Sequence, residues 1–156
     1  MTDMEIEKKY LVEALPEQLN QYRKSEIEQI YISTEPVIRL RKTDTERTLT
    51  IKGSGLLSRE EYELAITHEQ YEKLAAKIEK GTSAIEKTRY YIPLDGALTA
   101  ELDVYQGFLS GLLIVEVEFD TVDAAKNFTP PKWFGVDVTE KSEYKNAVLT
   151  NYVMPI

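Results

Sequence analysis

Charged residues recur at every second position through much of this 156-residue chain, and the two members of each pair carry the same sign. Glu5/Glu7, Arg39/Arg41, Glu61/Glu63, Lys87/Arg89, Glu101/Asp103 and Glu116/Glu118 make six such pairs. A period of two puts both members on one face of a β-strand, about 6.6 Å apart. On the wet side of an ordinary antiparallel sheet, mixed signs and Thr, Ser or Gln would relieve the repulsion. Six unmixed pairs call for neutralising charge from outside the chain, and leaving them unmatched costs far more in an enclosed, low-dielectric space than in water.

The alternate phase is apolar and completes the strands. Ile6 and Tyr10 oppose Glu5, Glu7 and Lys9; Ile38 and Leu40 oppose Arg39 and Arg41; Tyr62 and Leu64 oppose Arg59, Glu61 and Glu63. Eight strands are expected, over 5–12, 26–33, 37–41, 48–52, 59–64, 85–92, 98–105 and 112–119. Between the fifth and sixth the period changes. Thr67 and Gln70 form a capping box, and Tyr71, Leu74, Ala75 and Ile78 continue at three- and four-residue steps to Gly81, which predicts a helix packed on the sheet. Thr121 caps a short helix over 122–128 that Pro130-Pro131 stops, and a last helical segment is expected over 143–152. The fold class is α+β, mainly β, in one domain spanning 1–156.

Composition removes several chemistries. Without cysteine there is no disulfide scaffold, thiolate zinc site, iron–sulfur cluster or cysteine nucleophile. His68 is the sole histidine, in the first turn of the expected helix, and one histidine makes neither a triad nor a histidine metal site. Any metal must therefore sit on oxygen. No run of 18 apolar residues occurs, and residues 1–13 carry charges where a signal peptide has an apolar stretch; a cytoplasmic protein without a membrane partner is expected. A net charge of −8 argues against a nucleic-acid partner, which needs a basic footprint. A homodimer is compatible with the chain, though no residue pattern selects it. Asn127-Phe128-Thr129 matches a glycosylation sequon that means nothing without secretion. Gly53-Ser54-Gly55 is a hairpin turn, not a phosphate loop, and Trp133 is a packing anchor.

If the eight strands close, the charged phase shares one lumen, since a barrel of about this strand number encloses room for side chains or one small ligand. Seven in-phase cations (Lys9, Arg39, Arg41, Lys52, Arg59, Lys87, Arg89) and eight anions (Glu5, Glu7, Glu61, Glu63, Glu101, Asp103, Glu116, Glu118) would face it. Guanidinium forks and ammonium groups suit a chain of phosphates. Clustered carboxylates suit hard cations, Mg2+ or Mn2+, whose remaining positions substrate phosphates fill.

The motifs appear in a recognisable order. Glu5-x-Glu7-x-Lys9 is followed by Arg39-x-Arg41, Leu-Thr-Ile-Lys52-Gly, Arg59-x-Glu-Tyr-Glu63, Glu86-Lys87-Thr-Arg89-Tyr, Glu101-x-Asp103-x-Tyr105 and Gly111-Leu-Leu-Ile-Val-Glu116-Val-Glu118-Phe. In this the chain resembles the CYTH, or triphosphate tunnel metalloenzyme, superfamily, and its bacterial inorganic triphosphatases most. The resemblance implies a closed eight-stranded antiparallel barrel whose tunnel binds a triphosphate with Mg2+ or Mn2+. It implies metal ligation by Glu5, Glu7, Asp103, Glu116 and Glu118, and phosphate binding by Lys9, Arg39, Arg41, Lys52, Arg59, Lys87 and Arg89. Glu61, Glu63 and Glu101 are implied as supporting residues. Val138-Thr139 and Tyr144-Lys145-Asn146 are similar to the segment that closes the tunnel; relatives carry basic residues before that tyrosine where this chain has Ser142-Glu143, so Lys141 and Lys145 are both candidates to complete the site.

The activity so implied is metal-dependent hydrolysis of a small-molecule triphosphate, inorganic tripolyphosphate first, with Glu5, Glu7, Lys9, Glu116 and Glu118 as the catalytic set. Class IV adenylate cyclases and thiamine triphosphatases share the tunnel, but no base-specific pocket is legible. A non-catalytic polyphosphate- or nucleotide-binding module is the alternative of another class; clustered glutamates gain such a module nothing.

Overall fold

A computed structural model describes residues 3–55 and 57–151. Eight antiparallel strands close into a barrel in the order β1-β5-β4-β3-β2-β6-β7-β8. They are β1 Asp3–Leu11, β2 Arg23–Thr34, β3 Val37–Lys42, β4 Arg47–Lys52, β5 Ser58–Ala65, β6 Ile85–Pro93, β7 Thr99–Tyr105 and β8 Leu113–Glu118. All eight expected strands are present, most extended by a residue or more at an end.

The barrel is polar inside and apolar outside. Residues directly opposite in neighbouring strands share a face. Glu5 opposes Arg59, Lys9 opposes Glu116, Glu116 opposes Glu101, and Arg89 opposes Asp103. The charged phase therefore runs from strand to strand around the interior. The hydrophobic core lies on the outer surface instead. Ile6, Tyr10, Ile92, Leu102, Val115 and Val117 are covered by Phe119, Phe134 and helix α2, Val122–Lys126, with Phe128 and Trp133 packed alongside. Trp133 meets Phe134 edge-on at 4.5 Å. On another arc, Ile30 and Leu40 sit under Tyr71, Leu74 and Ala75 of helix α1, His68–Ala75. Beyond Leu49, which packs under α1, the outer face of β4 and β5 is uncovered, leaving Ile51, Tyr62 and Leu64 exposed.

All three helices end earlier than the sequence pattern implies, α2 at Lys126 and not at residue 128. The capping box of α1 forms as expected, with Thr67 Oγ1 accepting from Gln70 N and Gln70 Oε1 accepting from Thr67 N. The helix stops at Ala75 and not near Gly81. Lys77 N and Ile78 N donate to Leu74 O and Ala75 O in a tightened last turn, and Glu79 N then donates to Tyr31 O at 2.8 Å, drawing the chain onto the end of β2. A tertiary bond thus overrides a helical pattern, and Ile78 is left exposed. The last helical segment is likewise split: residues 142–144 form one 3-10 turn, Lys145 is extended, and helix α3 covers only Asn146–Leu149. Tyr152, its expected end, lies outside the described residues.

That split segment seats against one end of the barrel. Lys9 Nζ donates to Tyr144 O at 3.0 Å, Lys145 Nζ to Gly55 O at 3.0 Å, and Tyr105 Oη to Asn146 Oδ1 at 2.6 Å. Gly55 has φ of +133°, and a Cβ there would collide with the Ser58 carbonyl oxygen, so only glycine makes this turn. Beneath α3, Tyr31, Ile85, Tyr105 and Ile114 join Leu109 and Ala147 in an apolar cluster. Their strand positions are in phase with the charged interior residues, so the lumen has an apolar floor that the charge pattern does not announce. No helix among the described residues is long and apolar enough to cross a membrane.

Candidate active site

The lumen holds a cavity of about 200 Å3 lined by seven cationic side chains, seven carboxylates and only four other residues, Tyr31, Val37, Asn146 and Ala147. Of the expected site residues, Glu5, Glu7, Lys9, Arg39, Arg41, Lys52, Arg59, Arg89, Glu116, Glu118 and Lys145 line it, together with Glu61, Glu63 and Glu101. Lys141 lies in a small recess beside Lys9, Arg59, Thr139 and Lys145. Lys87 and Asp103 are placed apart from the lining, in the fully buried layer next to the floor.

Most of these charges are already matched. Both oxygens of Glu5 accept from Lys52 Nζ, at 2.9 and 3.0 Å, and Arg59 Nε lies 3.3 Å from Glu5 Oε1. Lys9 Nζ is 3.8 Å from Glu116 Oε1. Asp103 takes Arg89 as a fork, Nε at 2.7 Å and Nη2 at 2.9 Å. Lys87 Nζ also lies 2.7 Å from Asp103 Oδ2, a charge contact whose angle leaves the ammonium without an aligned hydrogen bond. Asp103 thus has two cations for neighbours and no oxygen turned to the cavity, a setting unlike the metal ligation that the resemblance implies.

Apart from Glu63, which accepts from the Thr50 hydroxyl at 3.5 Å, and Lys145, which donates to Gly55 O, two groups of lumen charges remain without an ion pair among the described residues. One is cationic and sits on β3. Arg39 Nη2 donates to the Thr50 hydroxyl at 3.3 Å and its buried Nε has no partner. Arg41 donates from Nε and Nη2 to one atom, Gln29 Oε1, at 3.2 and 2.9 Å. The other is anionic: Glu7 and Glu118, directly opposite each other on β1 and β8. In the ring of eight strands β3 and β8 are four apart, so a cationic wall faces a carboxylate wall across the cavity.

Protonation follows this division. Burial, the adjacent Glu116 carboxylate and then Glu5 push the Glu7 carboxyl well above the usual range. Burial, with Glu101 and Glu5 behind it, raises Glu118. Glu116 falls well below the usual range although burial opposes this, because Lys9, the Glu7 carboxyl and Arg89 favour its charge. Glu5 and Glu61 split likewise. Burial opposes the ionised form of Glu5, yet the hydrogen bond with Glu61 and the charges of Lys52 and Arg59 take it down to about 2. The hydrogen bond to Glu5, then burial, lifts Glu61 to about 7. Burial and the charges of Arg39 and Arg89 pull Arg41 down to about 10, and burial pushes Lys87 down to about 7 against the pull of Asp103.

Among the described residues no three carboxylates stand close enough to cage an ion by themselves. The donors nevertheless fit Mg2+ or Mn2+. They are all oxygen, they come from adjacent strands, and Glu7 and Glu118 are held towards their neutral forms for want of positive charge. A hard cation that keeps waters and phosphate oxygens needs only one or two carboxylates.

Gln29, Tyr31 and Thr50 were not legible as site residues, because charge was the signal and they carry none, whereas Asn146 falls in the segment expected to close the tunnel. Gln29 and Tyr31 share the lumen phase of β2, opposite Arg41 and Arg39; that phase, read for any hydrogen-bonding side chain, would have found them.

The family model of the CYTH domain matches residues 3–143. The chain belongs to the CYTH family. An inorganic triphosphatase of Nitrosomonas europaea is 43% identical over 148 residues, covering 93% of this chain and 95% of that protein. A crystal structure of an inorganic triphosphatase matches this CYTH barrel with a TM-score of 0.70 at 39% identity, over 96% of this chain and 95% of that one. A putative adenylyl cyclase from Hippeastrum, described as having a dominant triphosphatase activity, matches with a TM-score of 0.59 at 14% identity over 78% of this chain and 82% of that one; at that distance the likeness is one of fold alone.

Proposed function

We propose that this CYTH protein is a triphosphatase that hydrolyses a terminal phosphoanhydride bond of inorganic tripolyphosphate in its barrel lumen, with Mg2+ or Mn2+ bound. The observation that carries the reading is the unmatched cationic wall of Arg39 and Arg41 facing the unmatched carboxylates Glu7 and Glu118 across one small polar cavity. A polyanion satisfies the first wall and a divalent cation the second, and neither alone satisfies both. The overall sequence similarity to an inorganic triphosphatase points the same way.

Phosphoryl transfer asks little covalent chemistry of a protein; positioning and neutralisation of charge lower most of the barrier. Arg39 and Arg41 would hold phosphate oxygens against β3, and Lys9 and Lys145 would neutralise charge along the chain of phosphates, while Arg89 stays with Asp103. Glu7, Glu116 and Glu118 would hold the metal, which supplies Lewis acidity and lowers the pKa of a bound water. Lys52 and Arg59, matched by Glu5, fix the geometry of that side of the lumen. Asp103 and Lys87 belong to the packing of the closed end in this reading. The apolar floor and α3 exclude water from one end of the site.

A substrate panel tests this. Orthophosphate release is measured from tripolyphosphate, ATP and thiamine triphosphate in Mg2+ and in Mn2+, with cyclic AMP followed in the ATP reactions. The expected result is that tripolyphosphate gives the highest kcat/KM and that no cyclic AMP forms. Faster turnover of ATP or thiamine triphosphate would reassign the substrate, and tight binding of tripolyphosphate without turnover in either metal would make the protein a binding module.

A further inference from the structure

Two guanidinium groups in the lumen present the same Nε–Nη2 edge to a partner, one to both oxygens of a carboxylate and the other to a single amide oxygen. Arg89 presents Nε and Nη2 to the carboxylate of Asp103. Arg41 presents Nε and Nη2 to the amide oxygen of Gln29. Gln29 is fully buried, on β2 directly opposite Arg41. A guanidinium only donates, so the amide oxygen must face it, and the amide nitrogen is then left towards the Tyr31 hydroxyl, 3.5 Å away.

The difference decides where the charge goes. A carboxylate partner cancels the arginine's charge inside the protein, whereas an amide fixes the orientation and leaves the charge intact. Of the five N–H donors of Arg41, two go to Gln29, and the side chain lines the lumen cavity. A half-buried cation with a neutral partner costs folding free energy, and Glu at position 29 would give it a counter-charge within the protein.

We infer that Gln29 is a positioning residue for triphosphate binding, a neutral clamp that aims the Arg41 guanidinium into the lumen with its charge undiminished for the phosphates. This rests on the triphosphatase reading and adds to it a residue that touches no substrate. It also separates the roles of the lumen arginines: Arg41 is a binding group and Arg89 is a member of the buried ion cluster with Asp103.

The test compares wild type with Gln29→Glu and Gln29→Met, recording Tm by calorimetry and kcat and KM for tripolyphosphate at saturating Mg2+. Gln29→Glu keeps the side chain's shape and supplies a counter-charge. KM should rise about tenfold or more, the scale of a charged hydrogen bond to ligand, while Tm holds or increases. Gln29→Met keeps the charge of Arg41 but loses its aim, so KM should rise by less and Tm should fall. A purely structural role predicts the reverse ranking, with binding lost only as stability is lost. Wild-type KM in Gln29→Glu, or a KM increase confined to the variant whose Tm falls, overturns the assignment. Should wild type release no phosphate, the triphosphatase reading fails, and Gln29 is then judged by calorimetric binding of tripolyphosphate in EDTA. There Gln29→Glu must bind about tenfold more weakly than wild type, and equal affinity overturns the role.

Discussion

The lumen of this barrel contains two kinds of charge that the strand pattern does not distinguish. At the closed end, Lys87, Arg89 and Asp103 form a buried cluster with side chains almost wholly out of water and contacts of 2.7–2.9 Å. On other strands of the same barrel, Arg39 and Arg41 of β3 face Glu7 of β1 and Glu118 of β8 with no ion pair on either side. Both cations of the first group have a carboxylate partner without a ligand, and neither arginine of the second group has one. Matched charges hold the scaffold and unmatched ones define where a ligand belongs, so finding a charged residue in the lumen says less than finding what it is paired with.

The largest effect should come from breaking the matched cluster. Asp103→Asn leaves two buried cations facing a neutral amide, and loss of one partner of such a group costs about 3–5 kcal/mol. Urea denaturation should show a loss of that size, or failure to accumulate folded protein. A change under about 1 kcal/mol would mean that the cluster is as dispensable as a surface pair and that the division between the two regions is false.

Breaking the unmatched carboxylate wall should do the opposite. Glu118→Gln should lower kcat for tripolyphosphate by about 100-fold or more at saturating Mg2+, the scale of one lost charge-stabilising group in an active site, with Tm unchanged or raised. Wild-type turnover in this variant would remove Glu118 from the metal set.

The same contrast was only partly legible beforehand. Alternation and same-sign pairing identified eight strands, their lumen face and nearly every charged residue on it, because a period of two is a local property. Which cation meets which carboxylate depends on register around a closed, staggered ring, and that is settled by residues far apart in the chain: Lys52 meets Glu5 from 47 positions away. For the same reason Asp103 could be grouped with the other carboxylates by phase but not recognised as the partner of Lys87 and Arg89. Ile85 and Ile114 broke the charged phase without revealing that they form a floor, and Ile78 continued a helical stripe that the Glu79–Tyr31 hydrogen bond cuts short.

A pH titration in EDTA sharpens the comparison further. Glu7 has a folded-state pKa raised above the ordinary 4.5, and Glu61 one raised to about 7. A carboxyl with a raised folded pKa favours folding while protonated, so its contribution is lost as the pH climbs from 4.5 through the folded value. Glu5, held at about 2, acts the other way, and its share disappears only as the pH falls from 4.5 towards that value. Metal-free protein should therefore lose Tm between pH 5 and pH 7, below the range in which Lys87, pulled down to about 7, acts in the opposite sense, and Glu7→Gln should flatten the decline. A Tm that rises steadily over that range would contradict the assignment of unmatched carboxylates.

The smallest effect is expected far from the lumen. Thr67→Ala removes the capping-box hydroxyl of α1 on the outer wall and should cost about 1 kcal/mol with kcat and KM unchanged. A clear change in KM would show that the outer packing and the site are not separable.

The most direct test of the two facing walls is phosphate release from tripolyphosphate by wild-type protein in EDTA and again in saturating Mg2+, with Tm followed in both. The account predicts that tripolyphosphate alone raises Tm through Arg39 and Arg41 without turnover, and that turnover begins only when the metal joins it. Equal turnover in EDTA, or no Tm shift with tripolyphosphate and no turnover with Mg2+, would contradict it.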